Sequence, residues 1–401
     1  MERLYEYMNR QLKSVNDEFH RYMYDKINWG NRMLGLVGPR GVGKTTLFLQ
    51  RIKERHSTDD TLYVSAEHMY FANHSLYGLA EEFFKNGGKY LFIDEVHKYE
   101  GWSRELKLMY DSLPGLHVYF TGSSVLDIEK GEADLSRRAP KYLMQGMSFR
   151  EYLAVRHGVH APCLSLADIL AHKEEIPGVE HPLPLFKDYL RCGYYPFGDD
   201  EQFDIELGQV ITRTLEVDIP QFAGMTAATG RKLKRLMAIV STLAPFKPNM
   251  TSLGSQIQVS RNNVEDYLLY MEKAGMVAQL RTNAGGLGAL GKTEKVYLDN
   301  TNILYNLSEG SEDIGNVRET FFFNQMRVGH KVTASKISDF EIDGLTFEVG
   351  GKNKGQNQIA EAKRGYVVKD DIEFSYGNVI ALWALAVSYT HLRAHETRSN
   401  L

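Results

Sequence analysis

One short segment carries residue types suited to binding a nucleoside triphosphate. The segment GPRGVGKT, residues 38–45, fits the pattern G-x-x-x-x-G-K-[ST] without a mismatch. Its glycines let backbone N–H groups turn toward phosphate oxygens, and a following helix N-terminus favours negative charge. We expect Lys44 to reach the β- and γ-phosphates of ATP and Thr45 to ligate Mg²⁺. The predicted nucleotide-binding residues are Gly38, Gly41, Gly43, Lys44, Thr45 and Thr46.

A pair of carboxylates further along the chain supplies what hydrolysis would need. Asp94 and Glu95 follow the apolar run YLFI, and one strand and one helix are predicted between Lys44 and this run. At the end of a strand, Asp94 would lie beside Mg²⁺ and Glu95 could polarise the attacking water. Taken alone, an Asp-Glu pair after a strand also fits an exposed acidic turn. The spacing from the lysine favours the catalytic interpretation.

Hydroxyl and guanidinium groups downstream are candidates for contacts with the γ-phosphate or the water. The run HVYFTGSS ends in three hydroxyl residues, Thr121, Ser123 and Ser124. Arg137 and Arg138, in the segment LSRRA, are candidate arginine fingers that would stabilise charge in cis or in trans. The alternative for these arginines is a solvated basic turn.

Alternating strands and helices are predicted to position these residues. Short apolar runs alternate with helical patterns over residues 1–150, which indicates an α/β domain. The fully apolar strands favour a parallel sheet that is covered on both faces. The predicted strands are MLGLV at 33–37, TLYVS at 61–65, YLFI at 90–93 and HVYFT at 117–121.

The combined motifs resemble a known family. GPRGVGKTT, FIDEVHKYEGW, TGSS and LSRRAPKYLMQGMSFREYL together resemble the AAA+-related ATPases of bacteria and archaea whose P-loop domain precedes a C-terminal domain of unknown function. The resemblance covers roughly residues 20–387. It implies an additional-strand P-loop core in which Asp94 coordinates Mg²⁺, Glu95 activates water and Ser123 acts as a sensor. It implies ATP binding but leaves the cellular task unassigned.

Two further segments are predicted between the P-loop domain and the last domain. Residues 151–228 show helical spacing and are expected to form a helical lobe, and residues 229–306 have the cadence of a winged helix-turn-helix. From Arg231 to Arg281 there are eight Lys/Arg and three Asp/Glu, a surplus that would suit phosphate contacts. However, Glu265 and Asp266 lie early in the second helix, where they would repel DNA. The module either contacts duplex DNA or serves as a packing or protein-contact surface.

Residues 307–387 hold scattered acids that the family resemblance places in a restriction-endonuclease-like fold. Active examples of that fold arrange a helix Glu, a strand Asp and an E-x-K pair around a metal. The corresponding residues would be Glu319, Asp339 and Glu348, but Gly350 stands where the lysine belongs. Either the strand bulges so that Lys352 reaches the site, or the site is inactive.

Composition limits the remaining possibilities. The chain has 401 residues and a formal net charge of −4, which excludes a surface that is basic throughout. Cys163 and Cys192 lack the spacing of a disulfide framework or a zinc ribbon, and the longest apolar run, residues 379–387, is too short to cross a bilayer. We therefore expect a cytoplasmic protein without a membrane anchor. Residues 388–401 resemble translated sequencing-adapter sequence and are predicted to be a non-native tail.

These observations predict an AAA+-like P-loop ATPase that uses ATP and Mg²⁺ to drive or reset a conformational switch. A nucleotide-gated DNA-binding or regulatory protein is the first alternative, and an ATP-regulated nuclease is the second. A homo-oligomer is compatible with an arginine finger that acts in trans.

Overall fold

The computed structural model describes residues 1–122, 135, 137–199, 201–283 and 291–388, and the structural statements below concern these residues. The described residues divide into two compact units, Met1–Gln145 and those from Gly146 to Ser388. Each unit is described by itself.

A five-stranded parallel sheet forms the centre of the first unit. Its strands are β1 (Met33–Val37), β2 (Thr61–Ser65), β3 (Tyr90–Asp94), β4 (His117–Gly122) and β5 (Lys141–Leu143). Their order in the sheet is β2-β3-β4-β1-β5, so β4 is inserted between β1 and β3, as the family resemblance implies. The first four strands lie where the sequence predicts them. Their residues are almost all buried, as expected for a parallel sheet in an α/β domain.

The described residues of this unit also include four α-helices. Helix α3 shows how they pack: its apolar residues recur at helical spacing and are buried, while the hydroxyl of Ser75 caps its first turn by accepting from the N–H of Gly78. The four helices are α1 (Glu2–Ser14), α2 (Lys44–Arg55), α3 (Leu76–Lys85) and α4 (Trp102–Ser112).

Helices dominate the first part of the second unit, in the residues where the sequence shows helical spacing. The first two begin at capping boxes, in which Ser148 pairs with Glu151 and Ser165 pairs with Asp168. Short π-helical turns follow α7 at Tyr189–Gly193 and α8 at Thr214–Asp218. The helices are α5 (Phe149–His157), α6 (Leu166–Leu170), α7 (Pro182–Asp188), α8 (Phe203–Arg213), α9 (Ile219–Ala223) and α10 (Ala227–Leu243).

A helix pair and a hairpin follow in the order that the sequence predicts. Helices α11 (Met250–Ile257) and α12 (Arg261–Lys273) precede strands β6 (Val277–Arg281) and β7 (Thr293–Leu298), which pair antiparallel. Val264, Leu268 and Met271 are buried on one face of α12, again as predicted. Most of the predicted wing, residues 284–290, lies outside the described residues.

A mixed five-stranded sheet ends the unit. It is preceded by helices α13 (Thr301–Ser308) and α14 (Ile314–Met326), and α14 packs against β10. Strands β10, β11 and β12 are parallel, while β8, β9 and β10 are antiparallel neighbours. The strands are β8 (Val332–Ala334), β9 (Phe340–Ile342), β10 (Leu345–Gly350), β11 (Gly365–Lys369) and β12 (Val379–Ala381).

The predicted boundaries at residues 228 and 306 fall within the second unit and remain predictions. The apolar run at residues 379–387 begins as β12 and continues as a buried 3-10 helix, Leu382–Val387. Ser388, assigned to the tail by sequence, is packed in this unit, where its hydroxyl accepts from the Gln325 amide at 3.2 Å. Within the described ranges, no helix combines the length and the apolar character needed to cross a membrane.

Candidate active site

The loop between β1 and α2 has the backbone shape that its glycines permit. Gly43, the N-cap residue of α2, has a φ angle of 97°, a conformation that residues other than glycine rarely adopt. A Cβ atom on Gly38 would collide with the carbonyl oxygen of Met144. Helix α2 begins at Lys44, so its positive N-terminal end adjoins the loop. The predicted phosphate cradle is therefore formed by a strand, a tight loop and a helix start.

Lys44 is buried beside this loop. Its ammonium group donates hydrogen bonds to the carbonyl oxygens of Gly38 at 2.9 Å and Pro39 at 2.7 Å. These bonds hold a full positive charge next to the turned backbone, where an anion would be attracted. Thr46, also predicted to bind the nucleotide, is exposed on the first turn of α2.

Thr45 and Asp94 come together although 49 residues separate them. The Thr45 hydroxyl donates to Oδ2 of Asp94 at 2.8 Å, at the carboxyl end of β3. A hydroxyl and a carboxylate are oxygen donors of the kind that Mg²⁺ prefers, so the pair fits the metal that the sequence predicts. The structure thus brings the predicted loop and the predicted acid into one site.

Two further hydroxyls bind Asp94, and neither was assigned this position by the sequence. Tyr63 of β2 donates to Oδ2 at 2.9 Å, and Thr121 of β4 donates to Oδ1. Burial and the nearby Asp94 raise the pKa of Tyr63 far above its usual value, which keeps the phenol protonated. The Thr121 hydroxyl was a candidate for contact with the γ-phosphate or the water, but here it donates its hydrogen bond to Asp94.

Glu95 adopts an uncommon backbone conformation at the end of β3. Its φ is 52°, which is rare for a residue with a side chain and is often found at functional sites. Its N–H donates to the Thr121 hydroxyl at 3.0 Å, and its Oε2 atom lies 3.3 Å from Nε2 of His97. The backbone N–H of Glu95 is thus held by Thr121, and its carboxylate lies beside His97.

The two candidate arginine fingers differ in their surroundings. Arg138 binds the carboxylate of Asp111 on α4, with contacts of 3.0 and 3.2 Å from Nε and Nη2. Arg137 is exposed. Ser123, the predicted sensor, lies outside the described residues.

The acids of the last domain form a second cluster. Glu319 on α14 and Asp339 before β9 both approach Lys295 of β7, whose Nζ lies 3.0 and 3.4 Å from their oxygens. Burial raises the pKa of Glu319, and the charge of Asp339 adds to the effect. Burial alone would lower the pKa of Lys295, but the two acids outweigh it and raise the pKa. Lys295, which the sequence did not suggest, therefore neutralises this part of the cluster.

Glu348 is paired with Lys354 and not with Lys352, the lysine that the bulge alternative would have brought to it. Strand β10 ends at Gly350, and the chain then turns, which leaves Lys352 exposed and brings Lys354 into contact with Glu348. Gly350 makes room for this path, because a Cβ there would lie 2.6 Å from Cγ of Lys354. Lys354 thus approaches Glu348 through a turn and not through a bulge. Within the described parts of the chain, no group of three or more His, Cys, Asp or Glu could hold a metal ion.

Comparison with protein families finds a match over the residues of the first site. Residues 30–153 match the model of an AAA domain family, AAA_14. This segment is an AAA domain. Together with the five-stranded parallel sheet, it gives the first unit the α/β fold of a P-loop NTPase. In general terms, the match to an AAA domain supports the interpretation that the chain is an ATP-binding ATPase. Residues 183–340 match a separate domain of unknown function, DUF8612.

Solved structures to which the chain is similar include a Walker-type ATPase and two complexes with ADP. The Walker-type ATPase PABY2304 of Pyrococcus abyssi is 14% identical, with a TM-score of 0.41 over 75% of this chain and 95% of that one. The ADP complex of Hsp104 from S. cerevisiae is 18% identical, with a TM-score of 0.28 over 67% and 37%. NtrX from Brucella abortus in complex with ADP is 14% identical, with a TM-score of 0.22 over 66% of each chain. No curated protein matches the sequence. Because the TM-scores are low, the function proposed below depends on the AAA domain and the site geometry.

Proposed function

We propose that the protein binds ATP with Mg²⁺ and hydrolyses it to drive or reset a conformational switch. The observation that carries this proposal is the 2.8 Å hydrogen bond between Thr45 and Asp94. It joins the phosphate loop to the acid at the end of β3, the two parts that an ATPase of this fold must bring together.

Each residue of the site has a chemical task in this proposal. The N-terminus of α2 and the Lys44 ammonium would attract the triphosphate, and Thr45 and Asp94 would hold the metal ion. Mg²⁺, when bound, would neutralise charge that develops on the phosphate oxygens. Glu95 would accept a proton from the attacking water. Its backbone N–H donates to Thr121, and its carboxylate lies beside His97 at the end of β3.

A second candidate function is a nucleotide-gated contact with duplex DNA. A cavity of about 720 Å³ lies between α11, α12 and the β6–β7 hairpin. Its walls include four basic residues, Lys247, Arg261, Arg281 and Lys292. Three of these residues already contact a carboxylate, which reduces the positive charge that they offer to phosphates. Lys247 contacts Glu294, Arg261 contacts Glu265 and Arg281 contacts Glu272. The same surface therefore also suits a protein partner.

Steady-state ATPase measurements with and without duplex DNA would separate these functions. We expect Mg²⁺-dependent turnover by the wild-type chain and its loss in Glu95→Gln. Stimulation by DNA that falls steeply with salt, and that disappears in Arg261→Glu, would favour the DNA-gated switch. Unstimulated turnover would favour an ATPase that acts on a protein partner. Absence of turnover and of ATP binding would contradict the proposed function.

A further inference from the structure

Two tyrosines outside the phosphate-binding and acidic motifs connect Asp94 to the N-terminal helix. Tyr63 of β2 is 1% exposed and donates its hydroxyl to Oδ2 of Asp94 at 2.9 Å. Thr45 donates to the same oxygen at 2.8 Å. Because a carboxylate oxygen offers two lone pairs, these two donors fix the direction in which Oδ2 points.

Helix α1 contacts both the backbone and the ring of Tyr63. The Tyr63 N–H donates to Sδ of Met8 at 3.2 Å. The ring of Tyr7 stacks on the Tyr63 ring, with centroids 6.1 Å apart and planes inclined by 14°. Strand β2 is at the edge of the sheet, and α1 packs against this strand.

The charge of Asp94 affects the pKa of both phenols. Burial and then Asp94 raise the pKa of Tyr7, as they raise the pKa of Tyr63. The observed hydrogen bond itself makes Tyr63 a donor to the Asp94 carboxylate.

We infer that Tyr63 and Tyr7 are positioning residues for ATP hydrolysis, which hold the Asp94 carboxylate in the orientation that metal binding requires. This inference depends on the proposed ATPase function. Helix α1 precedes residues 30–153, so the orientation of Asp94 would depend on a segment outside the matched AAA domain. Tyr63 would act directly on the carboxylate, and Tyr7 would act through the Tyr63 ring.

The first test compares Tyr63→Phe with Tyr119→Phe in the full chain. Tyr119 is a matched control, because it is also 1% exposed and its hydroxyl donates to the Trp29 carbonyl at 2.6 Å, away from Asp94. We expect Tyr63→Phe to lower kcat about tenfold, the effect of losing one hydrogen bond to a charged group, and to raise the Mg²⁺ concentration for half-maximal turnover. Calorimetric titration of Mg²⁺ into the chain with a non-hydrolysable ATP analogue, which does not depend on turnover, should show weaker Mg²⁺ binding by Tyr63→Phe than by Tyr119→Phe. KM for ATP at saturating Mg²⁺ should stay near the wild-type value. Equal kcat values and Mg²⁺ requirements in the two variants would overturn the inference.

The second test concerns helix α1. Tyr7→Ala removes the stacked ring, and Tyr7→Phe retains it. Tyr5→Ala is the control: the half-buried Tyr5 ring is on the same helix but packs against the hydrophobic core. We expect a severalfold lower kcat and a higher Mg²⁺ requirement in Tyr7→Ala alone. If Tyr5→Ala and Tyr7→Ala behave alike, Tyr7 only stabilises the fold and its positioning role is refuted. A wild-type chain without any turnover would instead contradict the proposed function itself.

Discussion

Nε2 of His97 lies 3.3 Å from Oε2 of Glu95, and the His97 side chain is almost fully buried. Glu95 itself has a left-handed backbone conformation, which the hydrogen bond from its N–H to Thr121 stabilises. The contact and the backbone conformation together restrict where the carboxylate can point. This restriction is what a group that must orient one water molecule needs.

We predict that Glu95→Gln retains ATP binding and lowers kcat by about 100-fold or more, because an amide cannot accept the proton of the water. Calorimetric titration with ATP and a steady-state assay would measure the two effects separately. Glu100→Gln, at an exposed position just beyond this site, is the control and should keep wild-type turnover. Unchanged kcat in Glu95→Gln would assign the catalytic role to another group, with Asp94 the next candidate.

Lys44→Ala should abolish measurable ATP binding. The substitution removes the buried cation that contacts the Gly38 and Pro39 carbonyls and leaves the backbone cradle in place. Lys53→Ala provides the comparison, since Lys53 is on the same helix and pairs with Asp17 at the surface. Calorimetry that finds wild-type affinity in Lys44→Ala would contradict the assignment of the loop.

Arg137 is the better candidate for an arginine finger that acts in trans, because Arg138 is already bound to Asp111. If Arg137 completes the site of a second copy, turnover per subunit will rise with protein concentration. We expect this rise for the wild-type chain and for Arg138→Ala, and a flat, low profile for Arg137→Ala. A flat profile for the wild-type chain across the micromolar range would limit both arginines to a role in cis or to none.

Much of the first site could be predicted because its parts are local in sequence. The loop from Gly38 to Thr45 needs only its own glycines and the adjoining strand and helix, and β3 is recognisable from its apolar run. The three-residue strand β5 gave no such signal, since it is too short to show a pattern. Ser123 was predicted by resemblance and remains untested.

The contacts that were missed all depend on pairings that a linear pattern does not contain. Tyr63 reaches Asp94 because β2 and β3 are neighbours with Ser65 opposite Asp94. Lys295 reaches Glu319 and Asp339 only because the hairpin strand β7 adjoins the last domain's acids. Lys354 returns to Glu348 through a turn after β10, whereas counting along an extended strand pointed to Lys352.

The stability of the first unit should decrease as the pH falls from about 6.5 toward 4. Burial, reinforced by the charge of Arg51, lowers the pKa of His56 from 6.5 to about 4. The unfolded chain therefore binds this proton more readily than the folded chain, so the stabilising contribution is complete above pH 6.5 and is lost as the pH approaches 4. The ring packs against Tyr90 and Phe92, which a phenyl ring could also do.

Denaturant unfolding of the wild-type chain and of His56→Phe at several pH values would measure this contribution. The variant should show a smaller loss of stability over that pH range, while His160→Gln, at an exposed position, should match the wild type. If His56→Phe and the wild type lose stability in parallel, the acid sensitivity originates elsewhere.

The chain should not cleave DNA with Mg²⁺ or Mn²⁺. A nuclease of the expected type needs carboxylates free to bind a metal ion, with a lysine beside the scissile phosphate. Here the Lys295 ammonium contacts both Glu319 and Asp339, and Lys354 contacts Glu348. The two lysines thus occupy the carboxylate oxygens that a metal would use.

Incubation of plasmid and linear DNA with the purified chain and Mn²⁺ tests this prediction, beside a Glu348→Ala/Asp339→Ala control. Cleavage by the wild-type chain that the control lacks would refute it and would make the ATPase a regulator of a nuclease. Lys295→Ala adds a direct test of the cause. It leaves Glu319 and Asp339 without their shared cation, so their mutual repulsion should favour a divalent ion. We therefore expect calorimetry to detect Mn²⁺ binding at this cluster in Lys295→Ala. The wild-type chain and the double variant Lys295→Ala/Asp339→Ala should lack this binding.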